Sequence, residues 1–126
     1  MMFTVLGAGG FIGSQLAETL KSAGAVYAPP RQDGSDILDE VLKRDLGHVF
    51  YCIGLTANFR NRPFDTVEAH VCLLRRILEQ ARFESLTYLS STRVYEGSAT
   101  THEASVLQVS PDNPGHLYIL SKLMGE

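Results

Sequence analysis

The segment Phe3-Thr4-Val5-Leu6-Gly7-Ala8-Gly9-Gly10-Phe11-Ile12-Gly13 constrains this chain more than any other. The apolar run from Phe3 to Leu6 reads as a buried strand, and a glycine-rich turn follows at once. Ile12, Leu16 and Leu20 then recur every fourth residue, which predicts the apolar stripe of a helix. A strand that passes through glycines into a helix start leaves backbone N–H groups unpaired at the helix N-terminus, where a phosphate can sit. Gly7 permits the tight turn, Gly10 admits the close approach of a pyrophosphate, and Gly13 lets the helix pack against the strand. The spacing is Gly7-x-x-Gly10-x-x-Gly13 and differs from G-x-G-x-x-G, because position 12 is Ile. Taken alone, the turn also fits an ordinary strand-to-helix connection.

A chain of 126 residues amounts to about one domain with a real core. With 44% hydrophobic and 20% charged residues it reads as an ordinary globular protein, and a net charge of −3 argues against a nucleic-acid surface. No apolar run approaches the roughly 20 residues needed to span a bilayer. The N-terminus lacks the basic-then-apolar order of a secretory signal. Two unclustered cysteines, Cys52 and Cys72, predict buried thiols in a reducing cytoplasm, not a disulfide or a metal site.

Along the chain, helices are expected over 12–22, 37–43 and 64–81 and from about Gly115 onward. Strands are expected over 3–6, 25–28, 48–53 and 86–89, with a short fifth strand over 33–37 as an option. On the long helix, Val67, Val71, Leu74, Leu78 and Ala81 mark the expected buried face. Thr56 to Pro63 reads as a loop holding Arg60 and Arg62, which face either solvent or a substrate phosphate. Alternating strands and helices imply right-handed β-α-β units, a parallel sheet and a ligand edge at the strand C-termini.

Two further segments carry chemistry. Leu89-Ser90-Ser91-Thr92-Arg93-Val94-Tyr95 closes a strand, and Tyr118-Ile119-Leu120-Ser121-Lys122 puts Tyr and Lys on one helix face. Each alone also fits a bland reading, as loop hydrogen bonders or as an amphipathic helix turn. In this order and at these separations the whole chain resembles the extended short-chain dehydrogenase/reductases. Within them it resembles the NAD(P)-dependent epimerases and dehydratases of nucleotide sugars.

The resemblance implies a truncated Rossmann-type doubly wound α/β fold over 1–126, with the C-terminal substrate-binding region absent. It assigns Gly7, Gly10, Phe11, Ile12 and Gly13 to the cofactor's pyrophosphate turn. Asp36-Ile37 resembles the segment that contacts adenine. Cys52-Ile53-Gly54 resembles the strand end beside the cofactor, and His70 stands where relatives usually have Asn. Ser90, Tyr118 and Lys122 complete the cofactor contacts, and Ser91, Tyr118 and Lys122 are the implied catalytic set. Leu6 departs from the family's usual Thr, and Glu96 intervenes between Tyr95 and Gly97.

The implied reaction is hydride transfer at a sugar carbon, with Tyr118 moving the hydroxyl proton and Ser91 orienting the substrate oxygen. An ammonium about 4 Å from a phenol, at an effective dielectric near 20, is worth about 4 kcal/mol, or roughly three pKa units. Lys122 is therefore expected to activate Tyr118 and to bind the nicotinamide ribose. At the end of the second strand Arg31 favours the 2′-phosphate of NADP over NAD, although a solvated loop arginine fits as well. A small-molecule substrate, a homo-oligomer formed through an exposed sheet edge, and no nucleic-acid or membrane partner complete the expectation. Without the C-terminal region this chain is expected to be inactive. A reductase of non-sugar carbonyl compounds and a non-catalytic dinucleotide-binding module are the alternative readings.

Overall fold

The computed structural model describes residues 1–30 and 37–126. The strands β1 (Met2–Leu6), β2 (Ala25–Tyr27), β3 (His48–Tyr51) and β4 (Ser85–Tyr88) form one sheet in the order β2-β1-β3-β4. Every neighbouring pair is parallel. The register sets Leu6, Tyr51 and Tyr88 side by side at the C-terminal edge. β1 is central, with Phe3 to Leu6 all buried. Its buried Thr4 is satisfied by a 2.7 Å hydrogen bond from Oγ1 to the Leu46 carbonyl. β4 alternates exposed and half-buried residues, as a sheet edge does.

The helices are α1 (Phe11–Leu20), α2 (Ile37–Val41), α3 (Pro63–Val67), α4 (Leu73–Gln80) and α5 (His116–Gly125). A π-turn, Glu68–Cys72, joins α3 to α4, so 63–80 is one continuous helix with a wide turn in its middle. Short 3₁₀ turns occupy Ala57–Asn61 and Thr92–Tyr95, inside segments expected to be loop. Of the optional fifth strand, residues 33–36 lie outside the described residues, and Ile37 opens α2 with its side chain against the core. Among the described residues, no helix is long and apolar enough to cross a membrane.

Two helix faces differ from the sequence expectation. On α1 the buried residues are Gly13 and Ala17, while Ile12 is 57% exposed. Small residues let α1 sit close to the sheet, so the larger side chains flank the contact. On the long helix the buried line includes Thr66, Ala69, His70, Leu73, Leu74 and Ile77, while Leu78 is 50% exposed. Apolar spacing marks neither Thr66 nor His70, yet both are fully buried, and their polar atoms have partners. Thr66 Oγ1 donates to the Arg62 carbonyl at 2.8 Å, the usual way a threonine stays inside a helix. The main core lies between β1, β3, α2 and α4, with Leu6, Val41, Leu46, Tyr51 and Ile77 all at 0% exposure.

Candidate active site

The site is built on the loops that follow β1, β3 and β4. Gly7 has φ +87°, and a Cβ there would stand 2.8 Å from the Cys52 carbonyl carbon. Only glycine combines that dihedral with that contact. A Cβ on Gly13 would reach 2.2 Å from the Gly7 carbonyl oxygen, so this glycine sets how closely α1 meets the turn. Gly9 and Gly10 do the opposite. A Cβ at Gly9 meets nothing within 4 Å, and at Gly10 the nearest atom is the Gly7 oxygen at 3.5 Å. The N-terminus of α1 has no side-chain cap, and Phe11, at 83% exposure, and Ile12 leave it open to solvent. An open shelf of glycine backbone at an uncapped helix start fits a phosphate, and so fits the pyrophosphate of a dinucleotide.

Beyond β3, the Cys52 N–H donates to the Leu6 carbonyl at 2.8 Å and keeps the loop 52–55 beside the glycine turn. Burial raises the Cys52 thiol pKa, and the nearby Lys122 charge opposes it. Lys122 is only 5% exposed, and its Nζ donates to the Leu89 carbonyl at 2.9 Å. Burial lowers its pKa from the ordinary lysine value. Lys122 Nζ lies 6.0 Å from the Tyr118 ring centroid and 5.1 Å from that of Tyr88. The Lys122 hydrogen bond is to the Leu89 carbonyl, which occupies one of the three donors of its ammonium.

Tyr118 packs its ring against Phe59 and, edge to face, against His70, both with centroids at 5.2 Å. The Arg93 guanidinium lies 5.1 Å from the Tyr118 centroid and 5.3 Å from that of Phe59. Arg60 covers Phe59 at 4.6 Å. Neither arginine has a carboxylate partner among the described residues, whereas Arg62 pairs with Asp65 at 2.8 Å. Ser91 is half-buried and its Oγ accepts the Arg93 N–H at 3.3 Å. It shares with Ser90, Thr92, Val94, Tyr95 and Glu126 a shallow cavity of about 300 Å³. The Ser90 hydroxyl donates to the Glu126 carboxylate.

The loop residues Gly7, Cys52, Ile53 and Gly54 thus stand at the sheet edge that also carries Lys122. A Cβ on Gly54 would meet Lys122 Nζ at 3.3 Å. His70 is fully buried beside the same loop, and a Cβ on Gly54 would meet its Nε2 at 3.1 Å. Arg31 and Asp36 fall outside the described residues. Sequence reasoning passed over Arg93, Phe59, Ser121 and the Leu55 N–H. Arg93 lies inside a motif read for its serines, and Phe59 sits in a 3₁₀ turn whose period of three produces no helical stripe.

The sequence profile of the NAD dependent epimerase/dehydratase family matches residues 3–126. The chain belongs to that family. Among solved structures it is similar to the epimerase Mth375 of the methanogen Methanothermobacter thermautotrophicus, at 27% identity and a TM-score of 0.74, over 98% of this chain and 45% of that one. A short-chain dehydrogenase/reductase superfamily protein of Agrobacterium tumefaciens, solved with bound NAD, has 21% identity and a TM-score of 0.70 over 99% and 43% of the two chains. RMD of Pseudomonas aeruginosa, complexed with NADPH, has 24% identity and a TM-score of 0.69 over 98% and 46%. These last two likenesses show the fold. No curated protein matches the chain. The chain spans less than half the length of the structures it resembles.

Proposed function

We propose that this chain is the cofactor-binding part of an NAD(P)-dependent epimerase, dehydratase or reductase acting on a nucleotide sugar. The observation that carries the reading is the meeting of three loops at one sheet edge: the open glycine shelf, the Cys52 loop packed on it, and Lys122 tied to Leu89. When bound, the dinucleotide supplies hydride transfer. The backbone of Gly9, Gly10 and the first turn of α1 would hold its pyrophosphate, and Lys122 its ribose. Arg31 is the candidate for a 2′-phosphate. Tyr118 moves the proton of the substrate hydroxyl, and Lys122 and Arg93 are two cations beside the ring where charge develops. Ser91 orients the substrate oxygen.

Arg60 and Arg93 favour an anionic substrate. Two guanidiniums without carboxylate partners among the described residues, held over one buried ring beside Tyr118, suit a diphosphate better than a neutral carbonyl compound. The deciding experiment is a calorimetric titration of the full-length protein with NAD and NADPH, then with UDP in the presence of cofactor. Binding of one cofactor followed by UDP is expected. Binding of neither cofactor overturns the reading.

A further inference from the structure

The π-turn that joins α3 to α4 is held by two tyrosines. Tyr51 and Tyr88 are register partners on β3 and β4, with ring centroids 5.8 Å apart. Their hydroxyls donate to consecutive carbonyls of the turn, Tyr51 to Ala69 and Tyr88 to His70, the second at 3.4 Å. A π-turn leaves helix carbonyls without their regular i+4 partners, and such turns concentrate at functional sites. Burial raises both phenol pKa values, that of Tyr88 to about 12, so both remain donors. The result is a fixed seat for one side chain, His70.

The His70 ring has one hydrogen-bond partner on each nitrogen. The Leu55 N–H donates to Nε2 at 3.1 Å. A backbone N–H can only donate, so Nε2 carries no proton and the neutral ring carries it on Nδ1. Nδ1 lies 2.8 Å from Ser121 Oγ, and the Ser121 hydroxyl in turn donates to the Tyr118 carbonyl at 3.0 Å. The chain of bonds runs one way: Leu55 N–H to Nε2, Nδ1–H to Ser121, Ser121 O–H to the Tyr118 carbonyl. No donor or acceptor in it is left over.

We infer that His70 is a positioning residue that locks the cofactor-side loop 52–55 to the Tyr118 turn of α5, and that it does so only as the neutral Nδ1–H tautomer. Protonation would put an N–H on Nε2 against the Leu55 N–H and break the lock. Tyr118 of α5 packs edge-on against the ring and the charge of Lys122 acts on it, while Tyr88 of β4 and Tyr51 of β3 hold the backbone carbonyls of His70 and Ala69. No carboxylate among the described residues contributes. Burial first, and Lys122 second, lower its pKa to about 4, which keeps the lock closed at neutral pH. A carboxamide in the same seat could make the same two bonds, with its oxygen taking the Leu55 N–H and its NH₂ facing Ser121, but could not be opened by acid.

The experiment is an imidazole ¹⁵N NMR titration of the full-length protein, beside calorimetry with NAD and NADPH on wild type and the variants His70→Leu, His70→Asn and Ser121→Ala. Expected are a protonated Nδ1 and bare Nε2 at pH 7, and a Leu55 amide proton shift that follows the same midpoint near pH 4 as the ring. His70→Leu should weaken cofactor binding about tenfold or more, because Leu55 N–H loses its buried acceptor, and His70→Asn should restore it to within about threefold. Ser121→Ala removes the α5 end of the lock and the acceptor of Nδ1–H, so it should weaken cofactor binding in the same direction as His70→Leu while moving the ring's midpoint. The inference is overturned by an Nε2–H tautomer, by a Leu55 amide indifferent to the titration, or by a folded His70→Leu that binds cofactor like wild type. The calorimetry rests on the proposed function, whereas the tautomer and the Leu55 shift do not. A wild type that binds no cofactor therefore sinks that reading and leaves the NMR to decide this one.

Discussion

Lys122 Nζ donates to the Leu89 carbonyl at 2.9 Å across 33 positions of the chain, and this bond ties α5 to the end of β4. It explains how a lysine at 5% exposure is tolerated: its charge has a fixed acceptor, although burial still lowers its pKa. The same charge acts on His70. Lys122→Met should therefore raise the His70 midpoint above about 4 while weakening cofactor binding. An NMR titration in which the His70 midpoint stays put would show that the two groups do not communicate.

Tyr118→Phe removes the proton-transferring hydroxyl and keeps the ring that packs on Phe59 and His70. In the full-length protein it should lower turnover by about 10² to 10⁴, the usual share of general acid–base catalysis, with cofactor affinity unchanged. Steady-state kinetics beside calorimetry test both halves, and near-normal turnover would exclude Tyr118 as the acid/base.

Arg60, Arg62 and Arg93 lie near each other in the fold but differ in partners. Arg93→Ala or Arg60→Ala should each weaken UDP binding about tenfold, the size of one charge-assisted contact. Arg62→Ala should leave it unchanged, since that guanidinium is already paired with Asp65. Equal effects at all three positions in a titration would point to diffuse charge attraction instead of a site.

The glycine turn divides into structural and open positions. Gly13→Ala places a methyl 2.2 Å from the Gly7 carbonyl oxygen, backbone against backbone, and should cost about 3 kcal/mol or more. Gly9→Ala meets nothing within 4 Å and should alter stability by less than about 1 kcal/mol while hindering cofactor approach. Denaturant melts and cofactor titrations on the two variants separate these effects.

His70 also makes the fold acid-sensitive. Unfolding returns its pKa from about 4 to the ordinary 6.5, so between those values the unfolded chain binds more protons. The contribution is fully present above pH 6.5 and is lost as pH falls towards 4, to a limit of about 3 kcal/mol. Urea midpoints measured across this range should fall more steeply for wild type than for His70→Asn. Parallel slopes would remove His70 as the cause.

The sequence by itself determined the parallel α/β architecture, because strand-length apolar runs alternating with helical spacings admit few other solutions. It determined the glycine turn too, since the steric demands at Gly7 and Gly13 are local and only glycine meets them. The order of the Ser91, Tyr118 and Lys122 segments was also legible, being a matter of motif and separation. What only the tertiary structure decided is how polar groups are paired. Hydrophobic spacing marked Val67, Val71, Leu74, Leu78 and Ala81 and left Thr66 and His70 unmarked, because it cannot register a buried polar atom whose partner lies elsewhere. The partner of the His70 Nδ1 is Ser121, 51 positions away. The π-turn that seats His70 was likewise invisible, for it depends on hydroxyls from two strands meeting two consecutive carbonyls of one helix. Lys122 was read as Tyr118's neighbour from its i+4 spacing; that spacing could not show its second contact, the Leu89 carbonyl, because a buried charge needs an acceptor that only tertiary structure brings within reach.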